Sequence, residues 1–373
     1  MASTLPLAGV RVLEFTHVVM GPVAGMILGD LGAEVIHVEP PGGEATRRLR
    51  GFGAGFFSFY NRNKRSVAVD LKDPTDRAAV LRLVGEVDVV IENFGPGTFD
   101  RLGFSYAALS ALNPRLVYCS LKGFLDGPYA ERIGVDEVVQ MMGGLAYMTG
   151  REGDPMRAGT SALDITGGMF GVIAILTALY ERTRTGRGKH VRASLYETSA
   201  FLMGQFMACI TPDEPDIKPM PSRKNVWPIY QLFDTADGPP VFLGVISDRH
   251  WTRMCEAFGW TDLAADARFA TSAGRADHKP ELLPQIEARL RALPHAEVVR
   301  QSLAHNLPHA VVKSPAQLLE DEHLLAGGHL VDTHLVDGTP TRLPRLPIDY
   351  GDERFRRAER APDVGADNEL LRR

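Results

Sequence analysis

Short β-forming segments alternate with helical patterns along the first half of the chain. Strands are predicted at 10–15, 35–38, 66–69, 87–91, 116–120 and 190–195. Gly21-Pro22 begins an apolar helical pattern, and Asp73-Pro74 supplies an N-cap and a first-turn proline for another helix. Strands separated by helices lie parallel in one sheet, because a helix carries the chain back to the edge where the next strand starts. The predicted fold class is therefore α/β, with a Rossmann-like, doubly wound parallel sheet.

The composition changes in the middle of the chain. A proline-rich stretch with scattered charges at 211–228 predicts a linker. Beyond it, a strand and several helices predict a smaller α+β domain; the strand is expected at 241–245 and the helices at 249–258, 280–293, 296–305 and 316–325. At roughly 150 residues per domain, a length of 373 residues predicts two domains, with three as the alternative. The expected division is a large domain at 1–205, a linker at 206–224, a small domain at 225–330 and a return segment at 331–373 that completes the large domain.

Charge and cysteine content exclude several classes of protein. The net charge is −5, whereas nucleic-acid binding needs a basic surface, so no nucleic-acid partner is expected. Cys119, Cys209 and Cys255 form no CxxC pair and are expected to be buried, reduced thiols. No signal peptide is predicted, and the longest apolar stretch, 169–180, is shorter than the ~20 residues that span a membrane. We expect a cytoplasmic protein without membrane contact, in which this stretch is a buried helix.

The first strand, turn and helix are compatible with dinucleotide binding, since Glu39 ends the second strand where an acid would bind a ribose. The turn, however, lacks the GxGxxG pattern. Val18, Val19 and Met20 place side chains where the backbone must approach a pyrophosphate. An NAD-dependent dehydrogenase is therefore disfavoured. The histidine spacings match no HxxxH or HExxH site, so no metal is expected.

A series of short motifs follows in order along the chain. They are GVRVL at 9–13, GP at 21–22, LGDLGAEVIHVE at 28–39, NRNKRS at 61–66, DLK at 70–72, ENFGPG at 92–97, RLG at 101–103, LNPR at 112–115 and TGRG at 185–188. Together they resemble the class III CoA-transferases, the family of formyl-CoA:oxalate and carnitine CoA-transferases that also contains the α-methylacyl-CoA racemases. The resemblance covers the whole chain, most closely up to about residue 200. It implies a homodimer whose two chains are interlocked like linked rings.

Asp164, within SALDITGG at 161–168, matches the position of the catalytic aspartate of that family. Independently, Asp164 is predicted to be the N-cap of a long helix that ends near Arg184, where the positive end of the helix dipole favours the ionised carboxylate. Gly167 and Gly168 are expected to leave room for a bulky ligand. Taken alone, the local sequence favours a plain N-cap at Asp164, because Asp is a preferred cap; the resemblance instead favours a catalytic nucleophile.

The resemblance implies that Asp164 attacks an acyl-CoA thioester and forms an aspartyl-acyl anhydride, then an aspartyl-CoA thioester from which a free carboxylic acid takes CoA. CoA and acyl-CoA are then substrates, and no permanently bound cofactor is expected. The resemblance also implies a set of CoA-binding residues: His17, Val18, Val69, Asp70, Leu71, Lys72, Asn93, Phe94, Gly95, Arg101, Val135 and Asp136. The expected partners are acyl-CoA, small carboxylates and a second copy of the chain.

The sequence departs from the family pattern near the expected site. Val19 stands where the formyl-CoA enzyme has a glutamine, which makes oxalate-like substrates less expected. Pro40 stands where that enzyme has an arginine near the adenine, and Arg47 or Arg48 would have to compensate.

Residues 220–228 occupy the place of a glycine-rich loop found in some members. Within this stretch Arg223 and Lys224 are candidates for binding a second carboxylate, because cations recognise that group. Solvated linker charges are the alternative interpretation of this pair. We expect succinyl-CoA or a similar dicarboxylyl thioester as the donor.

The racemase branch is the main alternative within the family. Its members place a histidine where this chain has Val135, and valine cannot move a proton. The neighbouring Asp136 is expected either to orient ligands or to start a helix. A CoA-transferase is therefore favoured over a racemase or isomerase, and a non-catalytic CoA-binding protein is a further alternative.

Overall fold

The structure is a computed structural model that describes residues 5–213, 215–221, 227–351, 353–355 and 359–372. The chain forms two compact units, divided at 222/223 and at 322/323, so that the first unit contains both ends of the chain. The predicted candidates Arg223 and Lys224 lie outside the described residues.

The first unit begins with an alternation of strands and helices. In chain order these are β1 (Arg11–Phe15), α1 (Met20–Asp30), β2 (Glu34–Glu39), α2 (Phe56–Tyr60), β3 (Arg65–Ala68), α3 (Pro74–Val84), β4 (Val89–Glu92), α4 (Thr98–Arg101), α5 (Tyr106–Leu112), β5 (Val117–Lys122), α6 (Asp136–Met142), α7 (Leu145–Thr149), α8 (Ala162–Thr185), β6 (His190–Ser194) and α9 (Leu195–Met207).

The remaining elements follow the linker. They are β7 (Ile229–Phe233), β8 (Val241–Val245), α10 (Asp248–Phe258), α11 (Thr261–Ala265), α12 (Ser272–Asp277), α13 (Lys279–Arg291), α14 (His295–Ala304), β9 (His309–Val311), α15 (Pro315–Leu318), α16 (Glu322–Ala326), β10 (Leu330–His334), β11 (Pro340–Pro344), β12 (Asp349–Tyr350) and β13 (Glu353–Arg354). The stretch 316–325, predicted as one short helix, thus belongs to two.

The first unit is built on a six-stranded sheet in the order β3-β2-β1-β4-β5-β6. All five strand pairs are parallel, which confirms the predicted α/β class with a parallel sheet. The strand order reverses between β1 and β4, whose last residues, Phe15 and Glu92, are neighbours. In open α/β sheets the crevice beyond the carboxyl ends of two such strands is the usual ligand site.

Helices cover both faces of this sheet, because side chains alternate between the two faces along each strand. One face packs its aliphatic side chains against α1 and α8, as Val12, Val89 and Cys119 do. The opposite face packs Leu13, Val90 and its neighbours against α3 and α5.

Two glycines allow α8 to pack closely on α1. A Cβ atom on Gly168 would lie 2.7 Å from the backbone oxygen of Met20, and one on Gly167 would lie 2.7 Å from the Met20 methyl carbon. The expectation that these glycines leave room for a ligand is therefore wrong, because α1 occupies the space beside both of them.

Only one side of α8 is buried, which corrects the prediction of a buried helix. Met169, Ile173 and Tyr180 are exposed on its outer side, and Tyr180 is 70% exposed. The helix has 24 residues and a window with mean hydropathy 1.8, so length and composition alone would allow it to cross a membrane. Core helices of soluble proteins meet the same criterion, and no other helix among the described residues does. The cysteine prediction also needs correction, because Cys119 and Cys255 are buried whereas Cys209 is exposed.

The second unit has its own antiparallel sheet, in the order β7-β8-β9. Its core joins this sheet to α10, α13 and α14 through side chains such as Leu243, Trp251, Ile286 and Val298.

The last described segment returns to the edge of the large sheet. The carboxylate of Asp367 accepts the backbone N–H of Ser66 at 3.0 Å, and Asn368 accepts that of Ala68 at 2.8 Å. Residues 363–372 therefore satisfy the open side of β3, which would otherwise present unpaired backbone groups.

Candidate active site

A cavity of about 210 Å³ lies beyond the carboxyl ends of β1 and β4, where the strand order reverses. Three connections form its walls: the turn between β1 and α1, the loop after β4, and the segment between β5 and α6. The first turn of α8 supplies Asp164 to the same cavity. The cavity is therefore lined by residues that lie far apart in the sequence.

Eight of the thirteen predicted site residues line this cavity: His17, Val18, Asn93, Phe94, Gly95, Val135, Asp136 and Asp164. The other five do not line it. The Val69 side chain is buried in the hydrophobic core, Leu71 packs against the same core, and Asp70, Lys72 and Arg101 are exposed. The guanidinium of Arg101 donates to the Thr98 hydroxyl at 2.9 Å.

Asp164 is the third residue of α8 and not its N-cap, which corrects the prediction from the sequence. The helix begins at Ala162, and Ser161 occupies the N-cap position without making a side-chain capping bond. The carboxylate of Asp164 is consequently free of a capping role, and it lines the cavity.

Asp136 caps α8 instead. One of its carboxylate oxygens, Oδ2, accepts the backbone N–H groups of Leu163 at 2.8 Å and of Asp164 at 3.0 Å. Its other oxygen accepts the side-chain amide of Gln140, whose own oxygen accepts the N–H of Ala158 at 2.8 Å. A buried acid on α6 thus fixes the segment that leads to Asp164 and the first turn that carries it.

The electrostatic environment makes Asp164 unusually basic. Burial raises the pKa of Asp164 to about 7, and the negative charge of Asp136 adds to the rise. Burial and the same two carboxylates raise the pKa of Tyr60, on α2, to about 12. The sequence-based expectation that the helix N-terminus favours ionised Asp164 is therefore outweighed by burial and a neighbouring acid.

The turn that follows β1 is held from two sides. Asn93 accepts the His17 N–H at 3.0 Å and donates to the His17 carbonyl at 2.9 Å, so its side chain holds backbone. Glu44 accepts the N–H of Val18 at 3.0 Å. Val18 has a φ of 66°, a conformation that a β-branched residue rarely adopts. Burial lowers the pKa of His17, which leaves its imidazole neutral near pH 7.

The loop after β4 is anchored by Lys122, the last residue of β5. Its ammonium donates to the Glu92 carboxylate at 2.7 Å and to the Phe94 carbonyl at 2.8 Å. The Phe94 ring stacks on Phe99, with ring centroids 5.5 Å apart, and lies 5.6 Å from the His17 ring. These contacts give the cavity an aromatic wall in a fixed position.

Arg47, one of two candidates to replace the family arginine near the adenine, is engaged elsewhere. It donates two hydrogen bonds to Glu39, at 2.8 and 2.6 Å, and its guanidinium stacks on Phe57 at 3.7 Å. Arg48 donates to the Gly42 carbonyl at 2.7 Å. The Arg47 guanidinium is therefore occupied by its internal partners.

Sequence reasoning missed four residues at or behind this site: Glu44, Tyr60, Lys122 and Gln140. Gln140 stands four residues after Asp136 on the same helix face, a spacing that predicts a contact once the helix is assigned. The contacts of Glu44, Tyr60 and Lys122 join separate elements and leave no local signal. Among the described residues, no cluster of three or more His, Cys, Asp or Glu side chains is arranged to hold a metal.

Residues 7–368 match CoA-transferase family III. The chain is 36% identical to a succinate–glutarate CoA-transferase from Agrobacterium fabrum, over 96% of this chain and 93% of that protein. It is 38% identical to an acetyl-CoA:oxalate CoA-transferase from Acetobacter aceti, over 78% of this chain and 76% of that protein. The crystal structure of a CAIB/BAIF family protein from Brucella suis superimposes with a TM-score of 0.86 at 32% identity, covering 99% of each chain.

This chain therefore belongs to CoA-transferase family III, in agreement with the resemblance drawn from its motifs. The likeness to the Brucella suis structure extends over the whole fold, including the six-stranded parallel sheet. The names of these two relatives give succinate and glutarate for the first, and acetyl-CoA and oxalate for the second.

Proposed function

We propose that this protein transfers CoA from an acyl-CoA donor to a free carboxylic acid, with Asp164 as the nucleophile. The observation that carries the proposal is the position of the Asp164 carboxylate. It lies in the wall of the cavity at the strand-order reversal, released from helix capping by Asp136. Family membership supports the same reaction class.

The reaction would proceed through activated intermediates. An Asp164 oxygen attacks the thioester carbonyl carbon, the C–S bond breaks, and CoA leaves as a thiolate, which gives an aspartyl-acyl anhydride. The thiolate then attacks the aspartyl carbonyl and displaces the donor acid as a carboxylate, which gives an aspartyl-CoA thioester. The acceptor carboxylate then attacks the aspartyl carbonyl of this thioester and releases the CoA thiolate, which gives a second anhydride. The thiolate attacks the acceptor's acyl carbon in that anhydride, which regenerates the Asp164 carboxylate and yields the new acyl-CoA.

The raised pKa of Asp164 suits this chemistry. A carboxylate with a pKa of about 7 is more basic, and hence a stronger nucleophile, than an ordinary aspartate, while a large fraction stays ionised at neutral pH. Bound substrate that fills the cavity would have to keep water from the anhydride and the thioester, which would otherwise be hydrolysed.

The proposed donor is succinyl-CoA or a similar dicarboxylyl thioester. Its support is the name of the Agrobacterium fabrum relative, which is a succinate–glutarate enzyme. Among the described residues that line the cavity, Arg132 and Lys122 carry a positive charge. Lys122 is already paired with Glu92. Arg132 stacks on Tyr129 at 4.9 Å, which leaves its N–H groups available to an anion.

The test compares the wild type with Asp164→Asn, an isosteric variant that cannot attack. Acyl-CoA donors are paired with mono- and dicarboxylates, and the products are measured by mass spectrometry. We expect CoA exchange in the wild type, and a hydroxylamine-trapped adduct on Asp164 when donor is present. The variant should bind CoA and exchange none.

Exchange that persists in Asp164→Asn would contradict the proposed nucleophile. Solvent deuterium appearing at the acyl α-carbon without any acceptor acid would instead identify a racemase. Activity with monocarboxylyl donors only would leave the transferase in place and refute the dicarboxylyl donor.

A further inference from the structure

Glu44 connects the cavity to a group of buried charges behind it. Its Oε1 accepts the N–H of Val18, which lines the cavity, and also the hydroxyl of Thr46 at 2.6 Å. Its Oε2 lies 3.4 Å from Nε2 of His37. Among the described residues neither of these two atoms has another hydrogen-bond partner. One oxygen of the Glu44 carboxylate thus accepts a hydrogen bond from the turn that lines the cavity, and the other lies beside the buried imidazole of His37.

The buried group continues beyond His37. Nδ1 of His37 lies 2.8 Å from Oε1 of Glu14, and that oxygen also accepts the ammonium of Lys64 at 2.6 Å. The side chains of His37, Glu14 and Lys64 are completely buried, and that of Glu44 is 7% exposed. Two bases and two acids therefore alternate in one file: Lys64, just before β3, then Glu14 on β1, His37 on β2 and Glu44, which follows β2.

The Val18 backbone explains why such an anchor is needed. Its φ of 66° lies in the left-handed region, which β-branched side chains avoid. A residue keeps such a conformation only where its surroundings impose it. Here Asn93 holds the preceding residue, His17, and Glu44 holds the N–H of Val18 itself. Glu44 is itself held by His37 and Thr46. Its carboxylate is therefore a fixed acceptor for the Val18 N–H and resists a change in the Val18 backbone conformation.

We propose that Glu44 is a positioning residue that holds the His17–Val18 turn in its strained, ligand-accepting conformation, and that the buried file of Lys64, Glu14 and His37 holds Glu44 in place. This inference rests on the proposed function in one respect, namely that the ligand accepted at the turn is CoA. Glu44 itself does not line the cavity, so its effect on the ligand passes through the backbone of Val18.

The main experiment measures the dissociation constant of CoA by calorimetry, and the kcat and KM for an acyl-CoA donor. Glu44→Ala removes the acceptor of the Val18 N–H, whereas Glu44→Gln keeps an acceptor oxygen. We expect Glu44→Ala to weaken CoA binding about tenfold or more and to raise KM by a similar factor, with kcat within about threefold. Glu44→Gln should recover most of the affinity.

Asp30→Ala is the matched control for a general loss of stability. Asp30 is an equally buried acid of the first unit that pairs with Arg62 at 2.6 Å and does not touch the turn. It should lower the unfolding midpoint and leave the CoA dissociation constant within about threefold. If Glu44→Ala does not fold, Thr46→Val takes its place, because it removes the hydroxyl that steadies the same Glu44 oxygen.

A double-mutant cycle separates positioning from other effects. Glycine adopts a positive φ without steric cost, so the turn in Val18→Gly needs no anchor. In that background the added Glu44→Ala change should weaken CoA binding by less than about threefold. Equal losses in both backgrounds, or equal losses in Glu44→Ala and Asp30→Ala, would overturn the inference.

Hydrogen exchange of the 16–20 segment gives a readout that needs no ligand. Glu44→Ala should speed exchange of the Val18 amide, and Asp30→Ala should not. If the wild type binds no CoA, the proposed function fails, and this measurement alone decides the inference. Unchanged exchange in Glu44→Ala would refute it.

Discussion

One oxygen of the Asp136 carboxylate accepts the backbone N–H of Asp164 at 3.0 Å, so the acid whose charge helps raise the pKa of Asp164 also fixes the position of this residue. These two effects can be separated by Asp136→Asn. An asparagine oxygen still accepts the N–H groups of α8, but the negative charge is gone, and an NH2 group replaces the oxygen that accepts the Gln140 amide.

We expect Asp136→Asn to shift the acid limb of the kcat/KM profile to lower pH by about one unit. If Asp164 is the nucleophile, as proposed, it must be ionised to attack, so we expect activity to fall as the pH drops through the pKa of Asp164, which is about 7. Removing a nearby negative charge lowers that pKa and moves the limb in the acid direction. The profile from pH 5 to 9 is the measurement.

Glu137→Gln is the control for this shift. Glu137 is the next residue on α6 and is exposed, with Arg157 as its partner. Its removal should leave the acid limb in place. An unmoved limb in Asp136→Asn would mean that Asp136 acts through geometry alone.

His37 should make the stability of the protein depend on alkaline pH. Burial opposes its charge, but hydrogen bonds to Glu14 and Glu44 outweigh burial and raise the pKa of His37 to about 9. The stabilisation by a raised histidine pKa is complete below the unfolded value of about 6.5 and is lost as the pH rises through about 9. The unfolding free energy of the wild type relative to His37→Gln should therefore fall by ~2–3 kcal/mol between pH 6.5 and 9.5.

His190 offers a control of opposite sign. Burial, with the positive charges of Arg192 and Lys122, lowers the pKa of His190. The unfolding free energy of the wild type relative to His190→Gln should rise with pH up to about 6.5 and stay level above it. If the unfolding free energy of the wild type relative to His190→Gln fell at alkaline pH as much as that relative to His37→Gln, the bonds of His37 to Glu14 and Glu44 would not be the cause of the pH dependence. Denaturant titrations at each pH provide both values.

Glycine-to-alanine changes in two helices should have opposite effects on stability. In α8, the Cβ of Gly168→Ala would lie 2.7 Å from the backbone oxygen of Met20, which cannot move without shifting α1. A loss of ~1–3 kcal/mol in unfolding free energy is expected. Gly204, in α9, has no atom within 4 Å of such a Cβ, so Gly204→Ala should gain up to ~1 kcal/mol from helix propensity.

Thermal or denaturant unfolding of these two variants checks the packing of α1 against α8. Destabilisation by Gly204→Ala would show that α9 is covered by something outside the described chain. A neutral Gly168→Ala would show that α1 and α8 are less closely packed than the structure has them.

The three cysteines should differ in reactivity. Burial raises the pKa values of Cys119 and Cys255, that of Cys255 to about 11, whereas Cys209 is exposed. A thiol-specific reagent should modify one thiol rapidly in the native protein and all three after denaturation. Cys209→Ser should abolish the rapid phase, and Cys255→Ser should leave it unchanged. A rapid phase that survives Cys209→Ser would be inconsistent with these burial assignments.

Most strands of the large sheet could be predicted because they are short, largely apolar runs bounded by turn residues. The start of α8 could not be predicted in the same way. Local preference favours Asp164 as the cap, but the capping carboxylate belongs to Asp136, which is 28 residues earlier in the chain. Capping from another helix depends on tertiary packing, and a pattern within one segment carries no information about it.

The site shows the same division between local and tertiary information. Ordered motifs were sufficient to bring His17, Asn93 and Asp164 into one predicted site, and the structure places all three in one cavity. The anchoring contacts of Glu44 and Lys122 each join two separate elements. His17, Asn93 and Asp164 could be predicted because the motifs around them resemble those of the family. The contacts of Glu44 and Lys122 could be found only from the structure.

The return of residues 363–372 to β3 has a consequence for biosynthesis. The edge of the large sheet receives its partner only after the second unit has been translated, because Asp367 and Asn368 lie beyond that unit in the chain. We therefore expect the open side of β3 to stay without these partners on the ribosome until the second unit has been translated. Chaperone protection of that strand during synthesis is the expected cellular counterpart of this chain order.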